Sequence, residues 1–520
     1  METPPEYRLA YPNVTDGAAC TRAQTFDADV VIVGSGAGGA TAAHLLRAAG
    51  LEVLLLEEGG LHTTDSFVTD PSTSIRKLYR DAGTSMILGK PGIIFAEGKC
   101  VGGSTVINGG MSWRTPERVL RGWETNLGLT GMGPAALAPY FERAEQILHV
   151  EPNHEDTWGG NTHKFLQGAA ALGWPVARAP RNMKRCVGLN NCAFGCPTGA
   201  KQSMLVTEVP AALAAGARLL THARVDKVLF KGTRAVGVRG RLVGANGQPG
   251  HGFIVNARLV VLAAGARHTP GILKRSWIRN RRIGRGLHTH PNAKVVGIFE
   301  ERVDGWIGTH QAFHVHHHLN EGILIGYANV PLGLLAGGIP GLGAKHAEYM
   351  AQYHHMLIAA CLVEDDNEGW ITMGPDRQPY MFFNLEGADL ERVHRGVKLT
   401  CQLLFAAGAK KVLLPFADLH ELAGPDELDL IDRRPRRAEG IELMTVHIMG
   451  TAGMHADRAR GVTSETGAVH DLDGLVIGDG SVIPTSIGVN PQETIIAMTL
   501  RNAERWADRL GAERRKSSAA

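Results

Sequence analysis

Cysteine, histidine and acidic side chains can bind metals, carry protons or form covalent bonds, and glycine sets where a backbone can approach a ligand. Cys186, Cys192 and Cys196 fall within eleven residues, spaced Cys-x5-Cys-x3-Cys-Pro. Zinc would want a fourth ligand and more usually CxxC pairs. A redox disulfide would need only two of the thiols. Compact cysteine runs ending in Cys-Pro are a pattern of iron–sulfur ligation, and three thiolates suffice for a 3Fe–4S cluster. Buried structural thiols in a tight loop need no metal at all. The spacing leaves these readings open.

A second constellation is more specific. The stretch "DADVVIVGSGAGGATAAHLLRAAGLEVLLLEEGG" predicts a β-branched strand at 30–33, then Gly34, Gly36 and Gly39, a helix to about Ala49, and a strand at 52–56 ending at Glu57. A lone GxGxxG says little. With strand, helix and acid in place it is a dinucleotide-binding unit, the acid standing a little over 20 residues after the first glycine. Gly34 allows the tight turn, Gly36 lets the backbone approach the pyrophosphate, and Gly39 permits close helix–strand packing. The pyrophosphate would sit on the positive end of the helix.

These residues must be positioned by a large fold. The chain has 520 residues, 44% hydrophobic and 20% charged, with net charge +3. The scattered basic residues argue against a nucleic-acid surface. Glycine is 65 of 520, against an ordinary share of roughly 7%, and no repeat explains it. The N-terminus does not read as a signal peptide. No run reaches about 18 apolar residues, so no membrane segment is expected. Seven cysteines without an export signal point to a reducing cytoplasm.

Residues 1–27 read as an irregular lead-in and 511–520 as a disordered tail. Residues 256–273 form a strand meeting a glycine turn, and 472–510 a strand, a Gly-Asp turn, a loop and a long helix. Segments such as "KVVGIF", "ILIGYANV", "MLIAACLVEDD" and "WITMGPDRQPYMFF" alternate like antiparallel strands. The expected fold is α/β: a discontinuous Rossmann-like nucleotide-binding domain (28–290 and 441–512) with an inserted antiparallel-sheet substrate domain (291–440).

Four ordered stretches resemble the glucose–methanol–choline (GMC) family of flavin oxidoreductases. They are the glycine fold with Glu57, "GKCVGGSTVINGGMSWRTP", "AAGARHTPGIL" followed by "IGRGLHTHPN", and "HIMGTAGMH … GLVIGDGSVIPTSIGVNPQETIIAMTLR". The resemblance implies FAD, where the glycine turn alone would suit NAD equally. It implies that Glu57 holds the adenosine ribose and that Gly102, Gly103, Ser104 and Asn108 lie beside the flavin and pyrophosphate. Val225 would present backbone to the adenine, and Asp479, Gly480, Asn490 and Pro491 would cover the pyrophosphate and isoalloxazine end. The first signature reads "STVIN", without the histidine that some relatives use for covalent attachment, so non-covalent FAD is expected.

Oxidising an alcohol removes a hydroxyl proton and a carbon-bound hydride, so the protein must supply a base and orient the C–H. Histidine suits the base because it is largely neutral at pH 7. By the resemblance the base is His447 and its partner Asn490, with His455 as rival. His310, His314 and His316–His318 lack the convergent spacing of a zinc site. "LNNCAFGCPTGA" is similar to a cluster-binding segment of sugar and polyol dehydrogenases in the family, which would make Cys186, Cys192 and Cys196 ligands. Long-chain alcohol oxidases and oxidases of aminoglycoside antibiotic biosynthesis are similar as well. The expected activity is therefore oxidation of a primary hydroxyl on a sugar or amino sugar, with electrons passing to O2 or another acceptor. The alternatives are a long-chain aliphatic alcohol oxidase, and a lyase or non-catalytic flavoprotein. For an amino sugar, Glu364, Asp365 and Asp366 are the carboxylates expected to meet the ammonium group.

Overall fold

The β-branched run at 30–33 shows water no polar side chain, and it is buried on both faces as a central parallel strand requires. The computed structural model describes residues 12–244 and 247–518. In it the strand is Gln24–Val33, with Val30, Val31 and Ile32 wholly buried. Val53–Leu56 runs parallel on one side and Pro249–Leu262 on the other. Arg218–Thr221 and then Val14–Asp16 extend the parallel sheet outward. The last strand, Leu475–Ile477, joins the end of Pro249–Leu262. The other end of that long strand pairs antiparallel with Arg234–Val243, which pairs with Ala223–Lys231.

The alanine-rich helix Ala37–Ala48 covers this sheet and packs on the long helix Gln492–Ser518. First and last thirds of the chain thus share one core, as the discontinuous nucleotide-binding fold expected from sequence requires. Two expectations are corrected. The lead-in is partly sheet, since Val14–Asp16 is a strand and the central strand starts at Gln24. The tail is helical to Ser518, because Glu513 bonds Arg234 and Arg258 across the sheet edge and Arg509 one turn back. Residues 1–11 and 519–520 lie outside the described residues.

The second sheet has thirteen strands. Asn292–Ile298, Met356–Val363 and Ile323–Ala328 pair antiparallel in its centre, and Gly369–Met373 pairs with Pro379–Phe382. Phe313–Val315, Lys411–Phe416 and Leu419–Leu422 also belong to it, and strands from earlier and later chain complete it: Met86–Leu88, Ile93–Phe95, Val176–Arg178, Arg285–Leu287 and Leu443–Thr445. The helix Gly387–Ala406 lies across it and buries Val393, Val397, Leu403 and Leu404 completely. Among the described residues no helix is long and apolar enough to cross a membrane.

Candidate active site

A cavity of about 510 Å³ opens at the ends of the parallel strands and runs toward the second sheet. That is within the usual range for a cofactor pocket, and strand ends are where open α/β sheets bind ligands. Gly34 follows Val33 directly, with φ +102°, and a Cβ there would meet the Ala263 carbonyl oxygen at 2.2 Å. A Cβ on Gly39 would stand 1.8 Å from the Gly34 oxygen, so that glycine serves helix packing. Gly36 lines the cavity, and nothing lies within 4 Å of the Cβ it lacks. Its bare backbone therefore faces open space at a helix N-terminus, which fits a pyrophosphate. Gly38, which the motif reading passed over, is equally constrained: a Cβ there would stand 1.6 Å from the Gly478 oxygen.

Glu57 lines the same cavity and braces the turn. Its carboxylate accepts the Ser35 N–H at 3.1 Å, the Ser35 hydroxyl at 2.6 Å and the Gly59 N–H at 2.9 Å. Burial pushes its pKa up. Asp479 does the same at the next helix, accepting from Gly265 N–H at 2.9 Å and Thr269 Oγ1 at 2.5 Å. Burial raises this carboxyl too. Gly103, Ser104, Asn108, Val225, Gly480 and Pro491 also line the cavity. Gly102 is not in that lining, though it directly precedes Gly103, which is. Gly102 has φ +92°, a Cβ there would meet Val106 at 2.7 Å, and its N–H donates to Ser35.

His447 and Asn490 stand together on the cavity wall, with His447 Nε2 and Asn490 Nδ2 2.9 Å apart. The histidine follows the short strand Leu443–Thr445, and the asparagine precedes the last long helix. His447 is 8% exposed. Burial, with His290 nearby, lowers its pKa to about 3, so it is neutral at physiological pH. His290 Nδ1 lies 3.3 Å from His447 Nδ1. The buried Asp365 carboxylate fixes that segment by accepting the Thr289 and His290 N–H groups. His455 is outside the cavity, its Nδ1 accepting the Asp457 N–H at 2.9 Å.

The three acids expected to meet a substrate amine are already engaged, and none lines the cavity. Glu364 pairs with Arg118 and Asp366 with Arg392. Asp365 also accepts the Ser486 hydroxyl. The structure shows a charged wall that sequence reasoning missed. Arg80 bridges Glu58 and Glu97 at 3.0 Å each, and Glu97 also holds Arg267 and His268. Burial pushes Glu97 up, but its contacts with His268, Arg80 and Arg267 hold it below the carboxylate range. The network joins four separated segments, so no local spacing announces it.

The cysteine loop runs behind the cavity wall. The Cys186 sulfur accepts the Gly188 N–H, Cys196 pairs with the Thr198 hydroxyl at 3.3 Å, and Cys192 takes an Arg181 N–H at 3.7 Å. Each thiol thus has its own neighbour. Among the described residues no group of three or more His, Cys, Asp or Glu side chains is arranged to hold a metal ion. Cys186 and Cys196 nonetheless lie within electrostatic reach of Cys192. Burial raises the Cys192 thiol pKa.

Two buried cations stand around this loop. Lys201 gives its ammonium to the carbonyls of Val106, Asn108 and Cys192, at 2.7, 2.8 and 2.6 Å. Burial lowers it to about 8, which leaves it cationic at neutral pH. Arg181, with 0% exposure, bonds the carbonyls of Gly109, Gly110 and Gln311 and the Thr309 hydroxyl. Unpaired buried charge costs several kcal/mol per ion.

A Rossmann-type turn, a buried acid and a histidine on one cavity are the groups a nucleotide-dependent oxidoreductase needs. The comparisons agree. The description "GMC oxidoreductase" matches residues 75–292 and 369–499, and "NAD(P)-binding Rossmann-like domain" matches 32–65. The chain is 35% identical to an uncharacterised GMC-type oxidoreductase of Mycobacterium tuberculosis, over 96% of this chain and 78% of that one. It is 29% identical to a long-chain-alcohol oxidase of Arabidopsis thaliana, over 90% of this chain and 65% of that one. The solved structure of pyridoxine 4-oxidase from Mesorbium loti superposes with TM-score 0.69 at 19% identity, covering 92% of this chain and 99% of that one. The chain belongs to the GMC oxidoreductase family, and it is an FAD-binding enzyme of the alcohol-oxidising kind.

Proposed function

We propose that this enzyme oxidises a primary hydroxyl to an aldehyde, with His447 as base and Asn490 as the group that holds the oxygen. The observation that carries this is the His447–Asn490 contact at 2.9 Å on the wall of the cavity that the glycine turn and Glu57 also line. Bound FAD supplies the hydride acceptor. The residues that would hold it are Gly34, Gly36, Glu57, Gly103, Ser104, Asn108, Val225, Asp479, Gly480 and Pro491. Its attachment is non-covalent, since "STVIN" offers no histidine.

His447 takes the hydroxyl proton at Nε2 once the Asn490 amide, which donates to that nitrogen here, turns to the substrate oxygen. Burial keeps the resting imidazole neutral, with a lone pair available, and by the same effect makes it a weaker base than free histidine. The reaction is complete when the alcohol carbon has lost its hydride and the oxygen its proton. Electrons leave to O2 or another acceptor. The compartment proposed is the cytoplasm.

For the substrate, the sequence resemblance supports a sugar or amino-sugar hydroxyl, as in antibiotic biosynthesis. A long aliphatic alcohol is the second reading. It is favoured by the engagement of Glu364, Asp365 and Asp366, and by the apolar Phe95, Met111, Val446 and Ile448 in the cavity lining. The 3Fe–4S cluster on Cys186, Cys192 and Cys196 rests on their spacing and on the resemblance of "LNNCAFGCPTGA" to a cluster-binding segment. Anaerobic addition of alcohols decides the function. Bleaching of the flavin supports oxidation, and its absence across sugars, amino sugars, polyols and fatty alcohols favours a lyase or non-catalytic flavoprotein. The strongest responder names the substrate class.

A further inference from the structure

Lys201 and Arg181 are both buried, at 2% and 0% exposure. Among the described residues neither has a carboxylate partner. Together they take the carbonyls of Val106, Asn108, Gly109 and Gly110. Asn108, Gly109 and Gly110 line the cavity. The Asn108 side chain meets Gln492, two residues beyond Asn490, which meets His447. The cations therefore stand directly behind the wall at the redox end, and they turn that wall's carbonyl oxygens toward themselves. Charge placed in a low-dielectric interior acts over longer distances than in water.

We propose that Lys201 and Arg181 are electrostatic tuning residues, whose fixed positive charge behind residues 106–110 raises the reduction potential of the bound flavin. The inference rests on reading this cavity as the FAD site with its redox end at His447. Two electrons and one proton leave the reduced ring with a negative charge at its pyrimidine side, and a nearby cation favours that form over the neutral oxidised ring. The residues do not touch substrate. They act through the wall.

The test uses FAD-loaded Lys201→Gln, Lys201→Met, Lys201→Arg and Arg181→Met. The readouts are the flavin midpoint potential, by equilibration with reference dyes, and the affinity for sulfite, an anion that adds to flavin N5. Lys201→Gln keeps hydrogen bonding and removes charge. It should disfavour reduction at least tenfold, about 30 mV for a two-electron couple, and weaken sulfite binding at least tenfold. Lys201→Arg should restore both. A Lys201→Gln protein that keeps its flavin with unchanged potential and sulfite affinity would overturn the inference. Should the variants not fold, photoreduction of the unmodified protein still decides. The spectrum of the anionic one-electron-reduced flavin is expected, and the neutral form refutes. Iron at about three atoms per chain would reassign the cations to a cluster and also refute it. Failure to bind flavin at all would instead fail the reading of the cavity.

Discussion

Gly36 and Gly39 belong to one turn, yet alanine should harm them for opposite reasons. A Cβ on Gly39 would stand 1.8 Å from the Gly34 carbonyl oxygen, roughly half an ordinary contact of ~3.5 Å. The obstacle is backbone, so no side chain can swing aside. Overpacking of this kind costs about 1–3 kcal/mol, sometimes more, and Gly39→Ala should destabilise the protein even without FAD. Gly36 has φ −71° and ψ −165°, which alanine adopts freely, and nothing lies within 4 Å of its Cβ. Gly36→Ala should therefore leave the FAD-free protein unchanged, or about 0.4–1 kcal/mol more stable because its unfolded chain is less free. The added methyl instead occupies the space where a pyrophosphate must touch backbone. FAD affinity should fall at least tenfold, about 1.4 kcal/mol. Thermal melts of deflavinated protein and fluorescence titration with FAD separate the two effects. If Gly36→Ala binds FAD like the native chain, or melts as low as Gly39→Ala, the assignment of the cavity to FAD phosphate is wrong.

Other outcomes follow from the same geometry. His447→Ala should keep its flavin and lose alcohol oxidation about a hundredfold or more, while His455→Ala should stay near normal; steady-state turnover of both variants checks this, and the reverse pattern would reassign the base. The folded His447 pKa of about 3 leaves the base neutral at all higher pH, so kcat/KM should show no protonation step from His447 between pH 5 and 8, and a step near 6.5 that vanishes in His447→Ala would contradict this. Glu493, buried beside Glu145, has its folded pKa raised to about 8 from 4.5. It stays protonated while the unfolded carboxyl ionises, so its contribution is present below pH 4.5 and lost as pH rises toward 8. Glu493→Gln should thus raise the melting temperature at pH 8 by the equivalent of a few kcal/mol, a gain that shrinks toward pH 5. Cys192→Ser should leave flavin content unchanged, and iron and acid-labile sulfide analysis of the unmodified protein tests for a cluster directly.

The glycine turn was legible because its cause is local: strand, turn and helix lie within 30 residues, and Gly34 and Gly39 each have a steric reason there. His447 and Asn490 are 43 residues apart and became candidates only through the order of four motifs. The helix Gly387–Ala406 was readable in principle, since Leu390, Val393, Val397, Cys401 and Leu404 repeat at helical spacing. The surrounding strand-like segments drew the reading away from it. The Arg80, Glu97 and Arg267 network had no sequence signal, because it depends on which loops the two sheets bring together. The cysteines show the limit of local spacing: it places three thiols in one loop, where they meet Arg181, the Gly188 N–H and Thr198, without saying what they bind.

The parallel sheet also sets a timetable for synthesis. Gly34 emerges early, but Leu475–Ile477, which flanks the turn's neighbouring strand, emerges about 440 residues later. At ~5–20 residues per second the wait is roughly 20–90 s. During it the buried face of Pro249–Leu262 lacks its last neighbour, and Asp479, Asn490 and the long helix are absent from the cavity. FAD loading therefore waits until the segment from Leu475 through Gln492 has been made. A ribosome stalled beyond residue 400 would carry a glycine turn with no closed pocket around it, and free FAD would give such nascent chains little protection from proteases.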